Sequence, residues 1–209
     1  VLDLACGDGI YSRQLKRMGA AEVVGVDISS SMIDIARLDE NQTPLGVEYL
    51  CSDAKDITEL PKFLSSFDLI IGAYLFHYAT NEEELLEMCN AVQHCLKPSG
   101  RFVGINENPE QNLADFAGYA QYGFNKAACA PLLDASPITY SMVSGRSLIS
   151  FKVHYYGIST YARAFSTAGF RTVSWQQLML DPEGVETCGA EYWQEYLANP
   201  PVIGLELLP

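Results

Sequence analysis

The chain has 209 residues, 48% of them hydrophobic, enough for one sizeable core and a small insertion. Its 26 acidic residues outweigh 13 Lys and Arg, leaving a formal charge of −13 that argues against nucleic acid as a partner. No run of about 18 apolar residues occurs, so neither a membrane span nor a membrane partner is expected.

Residues 1–5 read as a buried strand, followed by a turn holding Gly7 and Gly9 and a helix over 10–18 that Gly19 ends. Such a turn aims unpaired backbone N–H groups at a ligand. The run 22–29 is a second strand reaching Asp27, apolar on both faces as in parallel sheets. Ser30 or Ser31 is placed to cap the next helix, with Ser31 and Asp34 able to form a capping box. A third strand over 47–53 ends at Asp53, and a short helix is expected near 57–60. The apolar stretch 67–79 is a fourth strand and a loop. Thr80 or Asn81 then caps a helix whose inner face is Leu85, Met88, Cys89, Val92 and Leu96, stopped by Lys97 to Gly100. Residues 101–106 give a fifth strand.

The rhythm then breaks. A helix over 113–122 is expected, then a loop, then two strands on either side of Gly145 and Arg146. We read 107–157 as an insertion covering the site. Ser159 is placed to cap a helix that Gly169 closes. A sixth strand over 170–180, a short helix over 191–197 and a last strand over 202–208 complete the chain. Strand–helix alternation predicts an open, doubly wound α/β sheet with helices on both faces and a ligand crevice at the carboxyl ends of its strands.

The spacing Asp3, Gly7, Gly9, then Ser12, departs from the Gly-x-Gly-x-x-Gly of dinucleotide proteins. An acid upstream of the turn repels a pyrophosphate but can fix an ammonium. With Asp27 and Asp53 ending the next two strands, this series resembles the class I S-adenosylmethionine (AdoMet)-dependent methyltransferases. The segments GAYLFHYA, CLKPSGRFV and AFSTAGFRTV resemble their type 11, ubiquinone-biosynthesis-like branch of small-molecule enzymes. The resemblance implies one domain over 1–209, with seven mostly parallel strands in the order 3-2-1-4-5-7-6 and the seventh antiparallel. The chain starts inside its first strand without Met, so the N-terminal segment that usually helps close the site is expected to be missing.

By the same resemblance, Asp3 lies near the methionyl ammonium, and Ala5 and Tyr74 offer it backbone carbonyls. Gly7 and Gly9 let the backbone approach the cofactor. Asp27 accepts from the ribose hydroxyls, a role also open to it in NAD proteins. Asp53 and Ala54 meet the adenine edge, and Ile28 and Met32 flank its ring. Arg13 is read as a solvated helix residue before a cofactor ligand. The implied reaction moves a methyl group to O or N of a small molecule, aromatic or amine-bearing, by in-line displacement. An NAD-dependent oxidoreductase and a non-catalytic AdoMet-binding protein remain the alternatives.

His77 and His154 are candidates for a catalytic base, or else structural histidines. Tyr78, Tyr155 and Tyr156, together with Tyr119, Tyr122 and Phe124, are candidates for aromatic walls. Six cysteines without CxxC spacing read as reduced thiols of a cytoplasmic protein, and with three scattered histidines they predict no metal site. A monomer or homodimer is expected.

Overall fold

The computed structural model describes residues 1–145 and 147–209; Arg146, expected beside Gly145 between two strands, lies outside the described residues. Strands β1 (Leu2–Leu4), β2 (Val23–Asp27), β3 (Val47–Cys51), β4 (Phe67–Ala73) and β5 (Leu96–Glu107) pair in parallel. The sheet has the order β3-β2-β1-β4-β5-β10-β9, and β10 (Val202–Leu208) runs antiparallel between β5 and β9 (Thr172–Gln176). This is the expected 3-2-1-4-5-7-6 pattern, with β9 and β10 as its sixth and seventh strands.

Side-chain alternation explains why helices are needed on both faces. Val23 packs with Ile33 and Ala36 of α2 (Ser30–Gln42) and with Leu15 of α1 (Ile10–Arg17). Val26, Ile70 and Phe102 pack on the other face, with Leu85 and Val92 of α3 (Glu82–Cys95) and Phe165 of α4 (Ile158–Ala168). β1 is buried along its whole length, which is why its three residues read as strand despite Asp3.

Several boundaries move for identifiable reasons. Ser29, not Ser30 or Ser31, caps α2, its hydroxyl accepting from the Met32 N–H at 3.4 Å. Asn81 caps α3, accepting from the Glu84 N–H at 2.9 Å. α3 stops at Cys95, and Leu96 already pairs with Phe67, so the Lys97–Gly100 stretch belongs to β5. The residue ahead of Pro98 favours extended backbone, which suits a strand start. Ser159 does not cap α4: the Asp134 carboxylate accepts from the Gly157 N–H at 2.7 Å and from the Thr160 hydroxyl at 2.6 Å. Arg13 is not solvated either. It is buried, paired with Glu40 and donating to the Thr43 carbonyl at 2.8 Å.

Between β5 and α4 the chain forms a second, antiparallel sheet of three strands, β6 (Phe124–Ala128), β7 (Ser136–Ser144) and β8 (Ser147–Tyr155). Sequence periodicity shows only the last two. The helix expected over 113–122 is instead two 3-10 turns, Leu113–Phe116 and Ala120–Tyr122, separated by extended backbone at Ala117. Ile138, Tyr140, Val153 and Phe116 give this sheet a small core of its own. After β9 come α5 (Pro182–Cys188), which the sequence reading lacks, and α6 (Gln194–Ala198).

Candidate active site: a cleft joined to an aromatic cavity

Strand order reverses between β1 and β4, and the carboxyl ends of β1 to β4 open there onto a cleft of about 500 Å³. Ala5 and Gly7 reach it from beyond β1, Asp27 and Ile28 from the end of β2, and Met32 from α2. Asp53 and Ala54 follow β3, and Tyr74 follows β4. Glu84 and Met88 of α3 also face the cleft, a contribution with no signal in the sequence beyond their helical spacing.

The turn after β1 is built around Asp27. Gly7 takes φ +55, and its N–H donates to Asp27 Oδ2 at 2.8 Å; Oδ1 accepts from the Ser29 N–H at 2.8 Å. Two backbone donors thus fix a carboxylate whose oxygens keep further acceptor capacity on the cleft wall. Gly9 does different work: at φ +81 it leads into α1, and a Cβ there would fall 2.3 Å from the Tyr49 hydroxyl. It is a packing position and does not line the cleft.

Asp3 also lies behind the wall. It is 1% exposed, Oδ2 accepts from the Ser12 hydroxyl at 2.5 Å, and Oδ1 is buried without a partner among the described residues. Burial raises its pKa to about 7, against the lowering effect of the Ser12 bonds. Asp53 Oδ1 accepts from the Lys55 N–H at 3.0 Å, and the Lys55 ammonium lies 2.9 Å from Glu84. Ala5 and Tyr74 hold left-handed backbone, φ +59 and +68, without being glycine.

Tyr74 and Tyr78 are shared with a second cavity, of about 210 Å³. Phe124, Tyr140 and Phe151, one from each strand of the small sheet, stack in a row along it, with centroids 5.7 and 5.4 Å apart. Tyr196 and His77 add to its walls. Of the other aromatic candidates, Tyr156 belongs to the main core, its hydroxyl donating to the Ala79 carbonyl at 2.9 Å. Tyr155 donates to the Pro109 carbonyl at 3.0 Å. Tyr119 and Tyr122 pack with Tyr196 behind the cavity.

Neither histidine sits as the expected base would. His77 is 2% exposed, and its Nδ1 accepts from the Glu107 N–H at 3.0 Å. Burial, with Lys126 and His154 nearby, lowers its pKa to about 3. The ring is therefore neutral, with its hydrogen on Nε2 and its one acceptor nitrogen already engaged. His154 follows Val153 on β8; Val153 lines the cavity, so alternation turns His154 to the other face, where its Nδ1 is buried and unpartnered among the described residues.

Glu107, the last residue of β5, is the functional neighbour that sequence reasoning misses. Its buried carboxylate forms an ion pair with Lys126 of β6 and accepts from the Tyr140 hydroxyl at 2.7 Å. Lys126 also donates to Gln111 and lies 4.1 Å from the centre of the Phe116 ring. Burial pushes Glu107 up and Lys126 down, each opposed by the other's charge.

Among the described residues there is no group of His, Cys, Asp and Glu arranged to hold a metal ion, and no helix long and apolar enough to cross a membrane. The six cysteines are free.

A reversed strand order, a glycine turn closed on Asp27 and an antiparallel β10 together define the class I methyltransferase fold. Residues 1–100 match the family described as a methyltransferase domain. A ubiquinone biosynthesis O-methyltransferase of Coxiella burnetii is 35% identical over 127 residues, 60% of this chain and 51% of that protein. The N-demethylindolmycin N-methyltransferase of Streptomyces griseus is 23% identical over 184 residues, 87% of this chain and 73% of that protein. Among solved structures, an S-adenosylmethionine-dependent methyltransferase from Mesorhizobium loti superposes with TM-score 0.66 at 22% identity, covering 99% of this chain and 89% of that one. The CcbJ methyltransferase from Streptomyces caelestis gives 0.69 at 18% identity, covering 99% and 82%. Residues 1–100 thus match the methyltransferase-domain family, and the whole chain has the fold of the solved AdoMet-dependent methyltransferases. The match spans about half the length of the ubiquinone O-methyltransferase.

Proposed function

We propose that the chain is an AdoMet-dependent methyltransferase that moves a methyl group to an oxygen or nitrogen of a small molecule. It acts as one domain, with residues 107–157 covering the acceptor. The observation that carries this reading is the pair of cavities meeting at Tyr74 and Tyr78: one polar at its ends, the other ringed by aromatic side chains.

The residues of the first cavity fit AdoMet. Asp27 would accept from the ribose hydroxyls, and the 69% exposed Ile28 and the 43% exposed Met32 would flank the adenine, with Asp53 and Ala54 at its edge. A Cβ on Gly7 would meet nothing within 4 Å, which leaves room for a ligand against the turn. Asp3 lies just behind the wall with Oδ1 unpartnered among the described residues; in its ionised form it would lend negative charge to the end of the cleft where the Ala5 and Tyr74 carbonyls would receive the methionyl ammonium. Bound there, AdoMet supplies an electrophilic methyl carbon on a sulfonium. The chain's own contribution is to align an acceptor in the aromatic cavity and keep water out, the kind of positioning on which in-line displacement depends. The O- and N-acceptors in the names of the two relatives support an acceptor atom of either kind. Flat aromatic acceptors suit the stacked walls, which can also hold an amine cation.

Calorimetry with AdoMet, and separately with NAD, tests this. AdoMet is expected to bind and NAD is not. Asp27→Ala is expected to weaken AdoMet by about 1.5–3 kcal/mol, the scale of hydrogen bonds to a charged partner. Preference for NAD, or unchanged affinity in Asp27→Ala, removes the reading.

A further inference from the structure

The geometry points to His77 as a fixed Nε2–H donor that orients the ligand of the aromatic cavity, selecting a neutral, one-ring compound with a carbonyl or similar acceptor atom. This rests on the proposed function only in treating that ligand as the methyl acceptor. The Glu107 N–H occupies Nδ1 at 3.0 Å. No residue described accepts from Nε2, on the far side of a ring that lines the cavity. The Tyr74, Tyr78 and Tyr196 hydroxyls on the same walls have no partner among the described residues, whereas the other polar groups are paired. The Tyr140 hydroxyl is given to Glu107, and Glu107 and Lys126 neutralise each other out of solvent. A cavity of about 210 Å³ walled by rings, whose free polar groups are neutral and of which only the His77 N–H is held in one orientation by a backbone bond, favours a flat ligand without charge. The hydrogen bond falls on an oxygen other than the reacting atom, because a donor held on the nucleophile's lone pair would blunt its attack.

The ionisable groups around His77 come from every neighbouring element: Glu107 of β5, Lys126 of β6, Tyr140 of β7, Tyr74 and Tyr78 after β4, and, from the far face of β8, His154. Burial, reinforced by Lys126 and His154, holds the imidazole neutral. The tautomer is then constant across the range where an ordinary histidine titrates, about pH 5 to 8.

Two measurements on the cofactor-free chain test this. In ring ¹⁵N spectra of histidine-labelled protein, the His77 signals, identified by their loss in His77→Asn, are expected to show one protonated and one bare nitrogen at every pH between about 5 and 8. Titration in that window, or a hydrogen on Nδ1, overturns the assignment. The second measurement uses benzamide, a flat neutral carbonyl probe, and toluene, which lacks the acceptor atom. His77→Asn keeps an oxygen for the Glu107 N–H but loses the far donor, and is expected to weaken benzamide about 2- to 12-fold while leaving toluene unchanged. His77→Gln, whose longer amide returns an N–H near the Nε2 position, is expected to recover benzamide. No benzamide binding, equal losses for both probes, or no recovery in His77→Gln overturns the proposal. Neither measurement needs AdoMet, so a failed AdoMet titration would sink the proposed function and leave this inference standing.

Discussion

The proposed role of Asp3 at the methionyl ammonium predicts that cofactor binding depends on pH, and the dependence can be worked from its surroundings. The carboxyl is buried, half-satisfied by Ser12, and raised by burial to about 7. About one-tenth of it is ionised at pH 6 and about nine-tenths at pH 8. If only the ionised form receives the methionyl ammonium, apparent affinity rises about tenfold across those two units. Near pH 6, binding releases close to one proton. Stability of the cofactor-free chain runs the other way. Unfolded Asp titrates near about 3.9, so between about pH 4 and 7 the folded chain holds a proton that the unfolded chain has released. Stability therefore falls as pH rises through that window, by about 1.4 kcal/mol per unit and at most about 4 kcal/mol in total. Calorimetry with S-adenosylhomocysteine, which carries the same ammonium, from pH 6 to 8 in buffers of different ionisation enthalpy counts the protons; urea unfolding across pH gives the stability slope. Asp3→Asn is expected to flatten both curves while leaving a folded protein. A flat wild-type binding profile, or one that Asp3→Asn merely shifts in parallel, would refute the reasoning.

Other substitutions separate packing from binding at the same turn. Gly9→Ala drives a methyl into the Tyr49 ring on left-handed backbone and is expected to lose about 2–4 kcal/mol in urea unfolding. Gly7→Ala meets open space, so backbone strain of about 1–2 kcal/mol is its only stability effect, while S-adenosylhomocysteine affinity falls because the methyl enters the cleft. Lys126→Met leaves Glu107 buried and unpaired and is expected to lose about 3–5 kcal/mol; adding Glu107→Leu recovers most of that, measured by the same unfolding curves.

The main sheet is legible because its strands are continuous apolar runs ended by Gly, Pro or acidic residues, and because helices with clear inner faces separate them. The small sheet is half hidden for a physical reason. β6 carries Lys126 at its buried position, so the period-two signal that marks a strand is inverted where it matters. Glu107 supplies the missing partner from across the fold, a pairing no local pattern contains. The same limit applies to His77. Its place after β4 could be read along the chain, but its tautomer is set by a backbone N–H thirty residues away. Ser12, which accounts for half of the environment of Asp3, stood in plain view as the residue replacing a third glycine, yet its hydroxyl had no visible target until the helix brought it over β1.

Glu107 joins these features into one device. Its N–H sets the tautomer of His77, and its carboxylate holds Lys126 of β6 and Tyr140 of β7. One residue at the tip of β5 therefore fixes both the donor in the cavity and the stacked rings that form its walls. Apolar side chains could attach the small sheet at least as firmly, since the desolvation of a buried ion pair offsets most of its attraction. What they would supply less sharply is a single placement. Hydrophobic contact tolerates sliding of one sheet over another, whereas a buried carboxylate left away from its ammonium and hydroxyl is penalised heavily. The ion pair thus acts on geometry more than on stability: it restricts the small sheet to the placement in which Phe124, Tyr140 and Phe151 meet Tyr74 at the mouth of the cleft.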